Sequence, residues 1–184
     1  PFEEVTDQQR SNAKAVNFGI VYGISAFGLA KDLGISREEA QEYIDGYFAA
    51  YPRLHDYLDG LVEFARKEGY AVTLFGRRRP VPELKNSNFM QRQFGERVAM
   101  NAPVQGTAAD IIKIAMVRVH DRLAKEGLRS RLILTVHDEL LVETFEQEEQ
   151  EVREILDQEM RGAAQLSVEL EIDTHSGRNW YDAK

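Results

Sequence analysis

The run RLILTVHDELLVET, residues 131–144, decides the fold of the second half of the chain. Its two ends are apolar, whereas His137, Asp138 and Glu139 interrupt its middle. Because an apolar segment on each side of a short polar interruption is typical of a hairpin, we predict two strands, residues 131–136 and 140–144. The three ionisable residues then lie at or beside the hairpin tip. A carboxylate is costly to desolvate without a charged partner, so we expect a bound cation beside this tip.

The composition of the chain is that of a folded globular protein. Of its 184 residues, 43% are hydrophobic and 29% are charged. No apolar run approaches the roughly 20 residues that cross a bilayer, and the N-terminus lacks the pattern of a secretion signal. We therefore expect no membrane association and a cytoplasmic location. The chain has no cysteine, so oxygen or imidazole ligands must hold any metal.

The net charge of −8 hides an uneven distribution along the sequence. Residues 75–97 contain six cationic side chains and two acidic ones, whereas residues 143–159 contain eight acids and only Arg153 as a cation. The basic segment can bind phosphates, or it can simply be a solvated turn. The acidic segment fits a solvated surface.

The pattern of the remaining chain predicts a helix-rich α+β fold. Predicted helices cover residues 7–22, 26–33, 37–50, 53–68, 88–126 and 147–164, and further strands cover 70–75 and 168–174. We expect Pro103 and Gly106 to break or kink the long helix into two pieces. The change from an all-helical to a mixed pattern predicts two domains, residues 1–68 and 69–184.

One predicted helix carries two cations and two aromatic side chains on a single stripe. Arg10, Lys14, Phe18 and Tyr22 follow each other at intervals of four residues, and each step of about 400° drifts by only about 40°. Two cations followed by two aromatics suit a ligand that has a phosphate end and a planar end, as a nucleotide has. Alternatively, Phe18 and Tyr22 belong to the core and the cations are solvated.

Four stretches of the chain follow in this order: RSNAKAVNFGIVYG at 10–23, LFGRRRPVPEL at 74–84, RVAMNAPVQGTAADIIKIAM at 97–116 and VHDELLVE at 136–143. They resemble motifs of DNA polymerase family A, the bacterial polymerase I type. The resemblance extends over essentially the whole chain. It implies an incomplete right-hand polymerase architecture, with residues 1–68 in the fingers and residues 69–184 in part of the antiparallel-sheet palm. It also implies a template-directed DNA polymerase of replication or repair in the bacterial cytoplasm.

The resemblance assigns the stripe to the incoming deoxynucleoside triphosphate. It implies that Arg10 and Lys14 hold the phosphates and that Lys14 also protonates the leaving pyrophosphate. Phe18 would pack on the sugar and base, and Tyr22 would lie against the templating position. Preorganised cations stabilise the charge that spreads over phosphoryl oxygens in the transition state.

The resemblance assigns the metal chemistry to the hairpin tip. Asp138 would be a ligand of two Mg²⁺ ions, for which Mn²⁺ can substitute, and Glu139 would be an outer or occasional ligand. His137 would lie near the primer terminus, although a lone histidine is more often structural.

Two further groups of residues would contact primer-template DNA. The resemblance places Arg97, Asn101 and Gln105 on the duplex near the insertion site, where Gln105 can donate to minor-groove acceptors. Backbone phosphates would be bound by Arg77, Arg78 and Arg79.

A two-metal site needs a second carboxylate, which the family carries in the pattern Asp-Tyr-Ser-Gln-Ile-Glu upstream of the fingers helix. That pattern does not occur in this sequence. We therefore expect the chain to be the C-terminal portion of a longer polymerase, the remainder of which is its partner. The chain alone should bind metal weakly and extend primers little or not at all. An exposed palm edge would also favour self-association.

Two other functions remain open. A fragment of a phage-type single-subunit RNA polymerase would share the same logic, but it should carry a tyrosine where Phe18 stands. A non-catalytic nucleic-acid-binding module would bind primer-template without chemistry that depends on Asp138.

Overall fold

The described residues, 4–183, fold into two compact units, and the boundary lies between Gly106 and Thr107. The structure is a computed structural model. Helices predominate, and the strands of the described residues form two small antiparallel sheets. The predicted α+β class is therefore confirmed. No helix within residues 4–183 is both long and apolar enough to cross a membrane.

The first unit begins with helices whose ends follow from local sequence. These are α1 (Asp7–Val21), α2 (Ala26–Leu33), α3 (Arg37–Ala50) and α4 (Pro52–Glu68). Ser36 caps α3 by accepting from the Glu39 backbone N–H, and the Glu39 side chain reaches back to the Ser36 N–H. Gly34 and Gly69 end α2 and α4 in the left-handed conformation that glycine adopts at low cost.

Two clusters form the core of the first unit. Leu29 is fully buried between Ala26 and Ala40, so α2 packs on α3. The second cluster joins α4 to the following elements and comprises Val62, Ala65, Ala71, Val81, Leu84, Val98, Ala99 and Ala102.

A short hairpin follows α4, with β1 (Tyr70–Val72) antiparallel to β2 (Arg78–Pro80). The strand predicted over 70–75 ends early because the turn begins at Thr73. The Thr73 carbonyl accepts from the Gly76 N–H, and the Thr73 hydroxyl accepts from the Arg77 N–H. Gly76 has a φ of +83°, which a side chain would disfavour.

The helix α5 (Phe89–Lys125) runs without a break, so the predicted break at Pro103 and Gly106 is wrong. Pro103 removes one backbone donor, but buried residues hold the helix on either side of it: Ala99 and Ala102 before the proline, Val119 after it. Gly106 allows α5 to pack closely against Thr73, because a Cβ at position 106 would lie 2.5 Å from the Thr73 methyl carbon.

The second unit contains the predicted hairpin. Strand β3 (Arg131–Val136) pairs antiparallel with β4 (Glu139–Glu143), and α6 (Glu149–Arg161) follows a short 3-10 helix, Glu146–Glu148. The core of this unit is formed by Val119, Leu123, Val152 and Ile155, against which Leu140 and Val142 of β4 pack.

The strand predicted over 168–174 is wrong, since the described residues have no strand there. A strand needs a hydrogen-bonded neighbour, and here side chains of α6 bind two of the backbone carbonyls instead. Arg161 donates to the Leu170 carbonyl at 3.0 Å and Arg153 donates to the Thr174 carbonyl at 2.8 Å. The alternating pattern of this segment therefore did not indicate a partner strand within residues 4–183.

Candidate functional site

The stripe of α1 faces outward. Arg10 and Lys14 are exposed, Phe18 is 60% exposed and Tyr22 is 40% exposed. The alternative that the two aromatics belong to the core is therefore wrong. Their rings stack on each other, with centroids 6.2 Å apart and planes inclined by 17°. A flat aromatic surface thus follows two cations along the helix.

The opposite face of α1 explains this orientation. Ile20 is only 3% exposed, and Val16 packs against the cluster around the buried Leu29 of α2, as does Ile24 in the turn that follows α1. The stripe cannot turn inward without exposing these residues, so packing fixes its direction.

The two cations of the stripe have no ion-pair partner within residues 4–183. Neither the Arg10 guanidinium nor the Lys14 ammonium lies within 4.0 Å of a described carboxylate. An anionic ligand would therefore not have to displace an internal partner there.

The end of α1 lies against α5. Gly23 has a φ of +73°, and a Cβ there would lie 2.4 Å from Met100 Cε and 3.3 Å from Arg97 Cγ. The Asn101 side-chain amide donates to the Tyr22 carbonyl at 3.4 Å. The predicted residues Tyr22, Arg97 and Asn101, which are far apart in sequence, are thus brought together within the first unit.

Asn101 also carries a buried acceptor that is not satisfied by the described residues. Its Oδ1 is shielded from solvent and has no hydrogen-bond partner. Buried polar atoms are normally paired, so a donor from a ligand or water is expected at this position. Because α5 is unbroken, Arg97, Asn101 and Gln105 also share one stripe of the helix, and Arg97 and Gln105 are exposed.

The β1–β2 hairpin presents the three predicted arginines, Arg77, Arg78 and Arg79, all of which are exposed. The Arg78 guanidinium lies 4.6 Å from the centre of the Tyr70 ring. The tip adds Leu74, 66% exposed, and Phe75, 44% exposed, which sequence reasoning missed. Alternation placed them in a strand, and only the early turn at Thr73 puts them at the tip.

The predicted acids lie at a hairpin tip, as expected. His137 and Asp138 form the two-residue connection, and Val136 pairs with Glu139 across it. All three ionisable residues are exposed. His137 has a φ of +54°, a conformation that costs a non-glycine residue about 1–2 kcal/mol. Asp138 has neither a hydrogen bond nor an ion pair within residues 4–183.

Glu139 has one partner that sequence reasoning missed. The Trp180 indole Nε1–H donates to Glu139 Oε2 at 3.3 Å. The two residues are 41 positions apart, and no spacing or composition signal connects them. Asp138, Glu139 and Trp180 all line an open cavity of about 1190 Å³ in the second unit.

The hairpin acids fit a hard divalent cation in their chemistry. Within residues 4–183 no group of three or more His, Asp or Glu side chains is arranged to hold a metal. Mg²⁺, however, is commonly held by one or two carboxylates together with substrate phosphates and water. The adjacent, exposed carboxylates of Asp138 and Glu139 are such ligands. The predicted convergence of Lys14 and Asp138 on one triphosphate stays a prediction.

Comparisons with known proteins agree on one family. The family model described as DNA polymerase family A matches residues 1–182. The chain is similar to the DNA polymerase I of Caldicellulosiruptor bescii, 50% identical over 181 residues, and to that of Geobacillus stearothermophilus, 50% identical over 182 residues. These alignments cover 98% and 99% of the chain and 21% of each relative.

A solved structure is similar over the whole chain. It is the POL domain of Pol1 from M. smegmatis in complex with DNA primer-template and dNTP, with a TM-score of 0.95 and 47% identity. The match covers 100% of this chain and 32% of that one. The predicted fold, part of a polymerase domain, is confirmed. The chain spans about a fifth of the length of the curated relatives it matches.

Proposed function

Because the chain belongs to DNA polymerase family A, we propose that it is the part of a template-directed DNA polymerase that binds the incoming nucleotide and one catalytic carboxylate site. The complete enzyme adds deoxynucleotides to a primer 3′ end by two-metal phosphoryl transfer, in replication or repair. The outward stripe of α1 is the observation that carries this proposal: its cations have no ion-pair partner in the described part of the chain, and they lie beside stacked aromatics. The M. smegmatis relative, which holds primer-template and dNTP, supports the same ligands.

The stripe binds the triphosphate in this proposal. The Arg10 guanidinium can hold two phosphate oxygens at once, and the Lys14 ammonium acts as a point charge. Lys14 also donates a proton to the leaving pyrophosphate, which offsets its developing charge. Phe18 packs on the sugar and base, and Tyr22 lies against the templating position.

The junction of α1 and α5 is the insertion site. Tyr22, Arg97 and Asn101 already meet there, and Asn101 Oδ1, which has no partner within residues 4–183, can accept a hydrogen bond from a ligand. Gln105 follows on the same stripe and can donate to the purine N3 and pyrimidine O2 acceptors that all correct base pairs share. Such contacts test the shape of a pair without reading its sequence.

The hairpin tip supplies metal ligands. Asp138, with Glu139 as an outer or occasional ligand, would hold the Mg²⁺ ions, two in the complete enzyme and replaceable by Mn²⁺. When bound, such ions activate the primer 3′-hydroxyl and offset the charge of the leaving group. His137 lies near the primer terminus, and Arg77, Arg78 and Arg79 bind backbone phosphates.

We assign the subdomains by analogy with the family: residues 1–68 form the fingers and residues 69–184 form part of the palm. The hairpin acids need a further carboxylate from the remainder of a longer polymerase, so the chain alone should bind metal weakly and extend primers little. Exposed strand edges favour self-association of the isolated chain. The bacterial relatives favour the bacterial cytoplasm as its location.

The experiment is primer extension by a longer polymerase that contains this chain. Asp138→Ala should reduce incorporation by at least about 100-fold, a loss typical of removing one group that stabilises transition-state charge. Glu151→Gln, an exposed acid of α6, is the matched control and should extend primers like the unaltered enzyme. Extension that survives Asp138→Ala would favour a binding module, and a preference for ribonucleotides would favour an RNA polymerase.

A further inference from the structure

Resting on the proposed polymerase function, we infer that Trp180 is a positioning residue that holds the Glu139 carboxylate beside Asp138 and so prepares the hairpin tip for a divalent cation.

The contact itself has the chemistry for this role. An indole N–H can only donate, and an ionised carboxylate can only accept, so the bond between Trp180 Nε1 and Glu139 Oε2 has one polarity. It occupies Oε2 and leaves Oε1 of Glu139 available. The cavity beside them gives a hydrated cation access to both Asp138 and Glu139.

The segment that carries Trp180 is anchored on α6. Arg153 donates to the Thr174 carbonyl at 2.8 Å and to the Ser176 hydroxyl at 2.8 Å. The Ser176 hydroxyl in turn donates to Glu149 at 2.8 Å, and Arg153 pairs with the same carboxylate. The Ser176 hydroxyl and then Arg153 lower the pKa of Glu149, so this anchor stays ionised at neutral pH.

A folded turn then presents the indole. At Gly177 a Cβ would lie 2.6 Å from the Asp182 carbonyl carbon, so the chain folds back on itself here at a distance that only glycine allows. The Asn179 side chain closes the turn, donating to the Asp182 carboxylate at 2.6 Å and accepting from the Asp182 N–H at 3.1 Å. Trp180 lies inside this turn, so its position is set by bonds on both sides.

These contacts form one connected path within the second unit, from α6 through the anchored segment to Glu139. A free glutamate samples several rotamers, whereas a bonded one is held near one of them. Hydrogen-bond partners of metal-ligating side chains typically change metal affinity about 10- to 100-fold. If Trp180 only held the C-terminal segment against the hairpin, its replacement would change stability and leave cation binding unchanged.

The experiment is a Mn²⁺ titration of the 184-residue chain into the millimolar range, followed by the paramagnetic resonance signal of free Mn²⁺. Trp180→Phe keeps an aromatic ring and removes the donor, and we expect it to weaken Mn²⁺ binding about tenfold without lowering the melting temperature. Tyr181→Phe is the matched control, because Tyr181 is the neighbouring aromatic and is 87% exposed. It should bind Mn²⁺ as the unaltered chain does.

The fluorescence of Trp180 provides a second readout, because it is the only tryptophan of the chain. Mn²⁺ bound at the hairpin tip should quench this emission in a saturable manner, and Mg²⁺ should reverse the quenching by competition. Asp138→Ala should abolish the saturable quenching. Glu139→Ala should shift the emission of Trp180 even without metal.

The outcomes separate the inference from the function on which it rests. Equal Mn²⁺ affinity in Trp180→Phe and the unaltered chain, or no saturable binding by either, would overturn the positioning role. Binding that persists unchanged in Asp138→Ala would instead overturn the proposed metal site. Primer extension by the longer polymerase tests the polymerase function independently of both results.

Discussion

Gly23 joins α1 to α2, and its replacement by alanine tests whether the turn beside Tyr22 is held by close packing on α5. The turn has the hydrogen bonds of a Schellman motif: the Gly23 N–H donates to the Ile20 carbonyl at 2.9 Å and the Ile24 N–H to the Gly19 carbonyl at 2.8 Å. This geometry places Gly23 at a φ of +73°. Any side chain there is strained by about 1–2 kcal/mol.

The packing adds a second cost. An alanine Cβ at position 23 would lie 2.4 Å from Met100 Cε, which must move. That carbon ends a flexible side chain, so we take the lower end of the usual overpacking range, about 1 kcal/mol. Gly23→Ala should therefore reduce the free energy of unfolding by about 2–3 kcal/mol in total.

Gly34→Ala provides the matched control. Gly34 ends α2 in the same left-handed conformation, with a φ of +69°, but nothing lies within 4 Å of its added Cβ. Gly34→Ala should therefore reduce the free energy of unfolding only by the backbone strain, about 1–2 kcal/mol. Urea unfolding followed by circular dichroism measures both variants. Combining Gly23→Ala with Met100→Ala should recover about 1 kcal/mol relative to the sum of the single changes. Equal losses at positions 23 and 34, with no such recovery, would refute the packing argument.

Three further predictions follow from single contacts. The Ser130 hydroxyl and then the backbone N–H groups of Arg129 and Ser130 lower the pKa of Glu148 from its ordinary value. The ionised Glu148 therefore contributes fully to stability above the ordinary pKa of a glutamate, and this contribution is lost as the pH falls through the lowered pKa. Glu148→Gln should therefore destabilise the chain to urea at neutral pH and lose this effect in acid; a pH-independent difference would contradict it. In the longer polymerase, Phe18→Ala should raise the KM for dNTP about 5- to 150-fold through lost stacking, and an unchanged KM in steady-state kinetics would exclude that contact. Arg79→Ala should lower the magnitude of the slope of log affinity for primer-template against log salt by about 1, whereas an unaltered slope would mean no phosphate contact.

Local chemistry explains which parts of the fold could be predicted from the sequence. The caps at Ser36 and Gly69 depend only on residues within one turn, and the hairpin at 131–143 follows from apolar segments around a short polar interruption. The continuity of α5 through Pro103 could not be predicted, because it depends on buried residues on both sides of the proline. A propensity rule contains no information about such tertiary contacts.

The candidate site divides in the same way. The stripe of α1 follows from helical spacing, but the sequence left open whether its aromatics face outward, because that depends on the packing of Ile20 and Val16 in the folded unit. The bond between Trp180 and Glu139 depends on a tail that α6 holds through Arg153, and no local pattern encodes such a path. For the same reason the segment at 168–174 looked like a strand: its alternation is local, whereas a strand partner is not.

The hairpin of β3 and β4 is stabilised by hydrogen bonds at its base, whereas its tip contains a strained residue. At the base, the buried Ser130 donates to Glu148 and accepts from the Phe145 N–H, which ties the start of β3 to the end of β4. At the tip, His137 adopts a left-handed conformation that glycine or asparagine would adopt more cheaply, and Asp138 has no partner within residues 4–183. Strain and unpaired charge at one end of a well-held hairpin are the pattern expected where side chains are retained for a ligand and not for stability. Because the contacts at the base stabilise the hairpin, the tip can contain residues that stability alone would not favour.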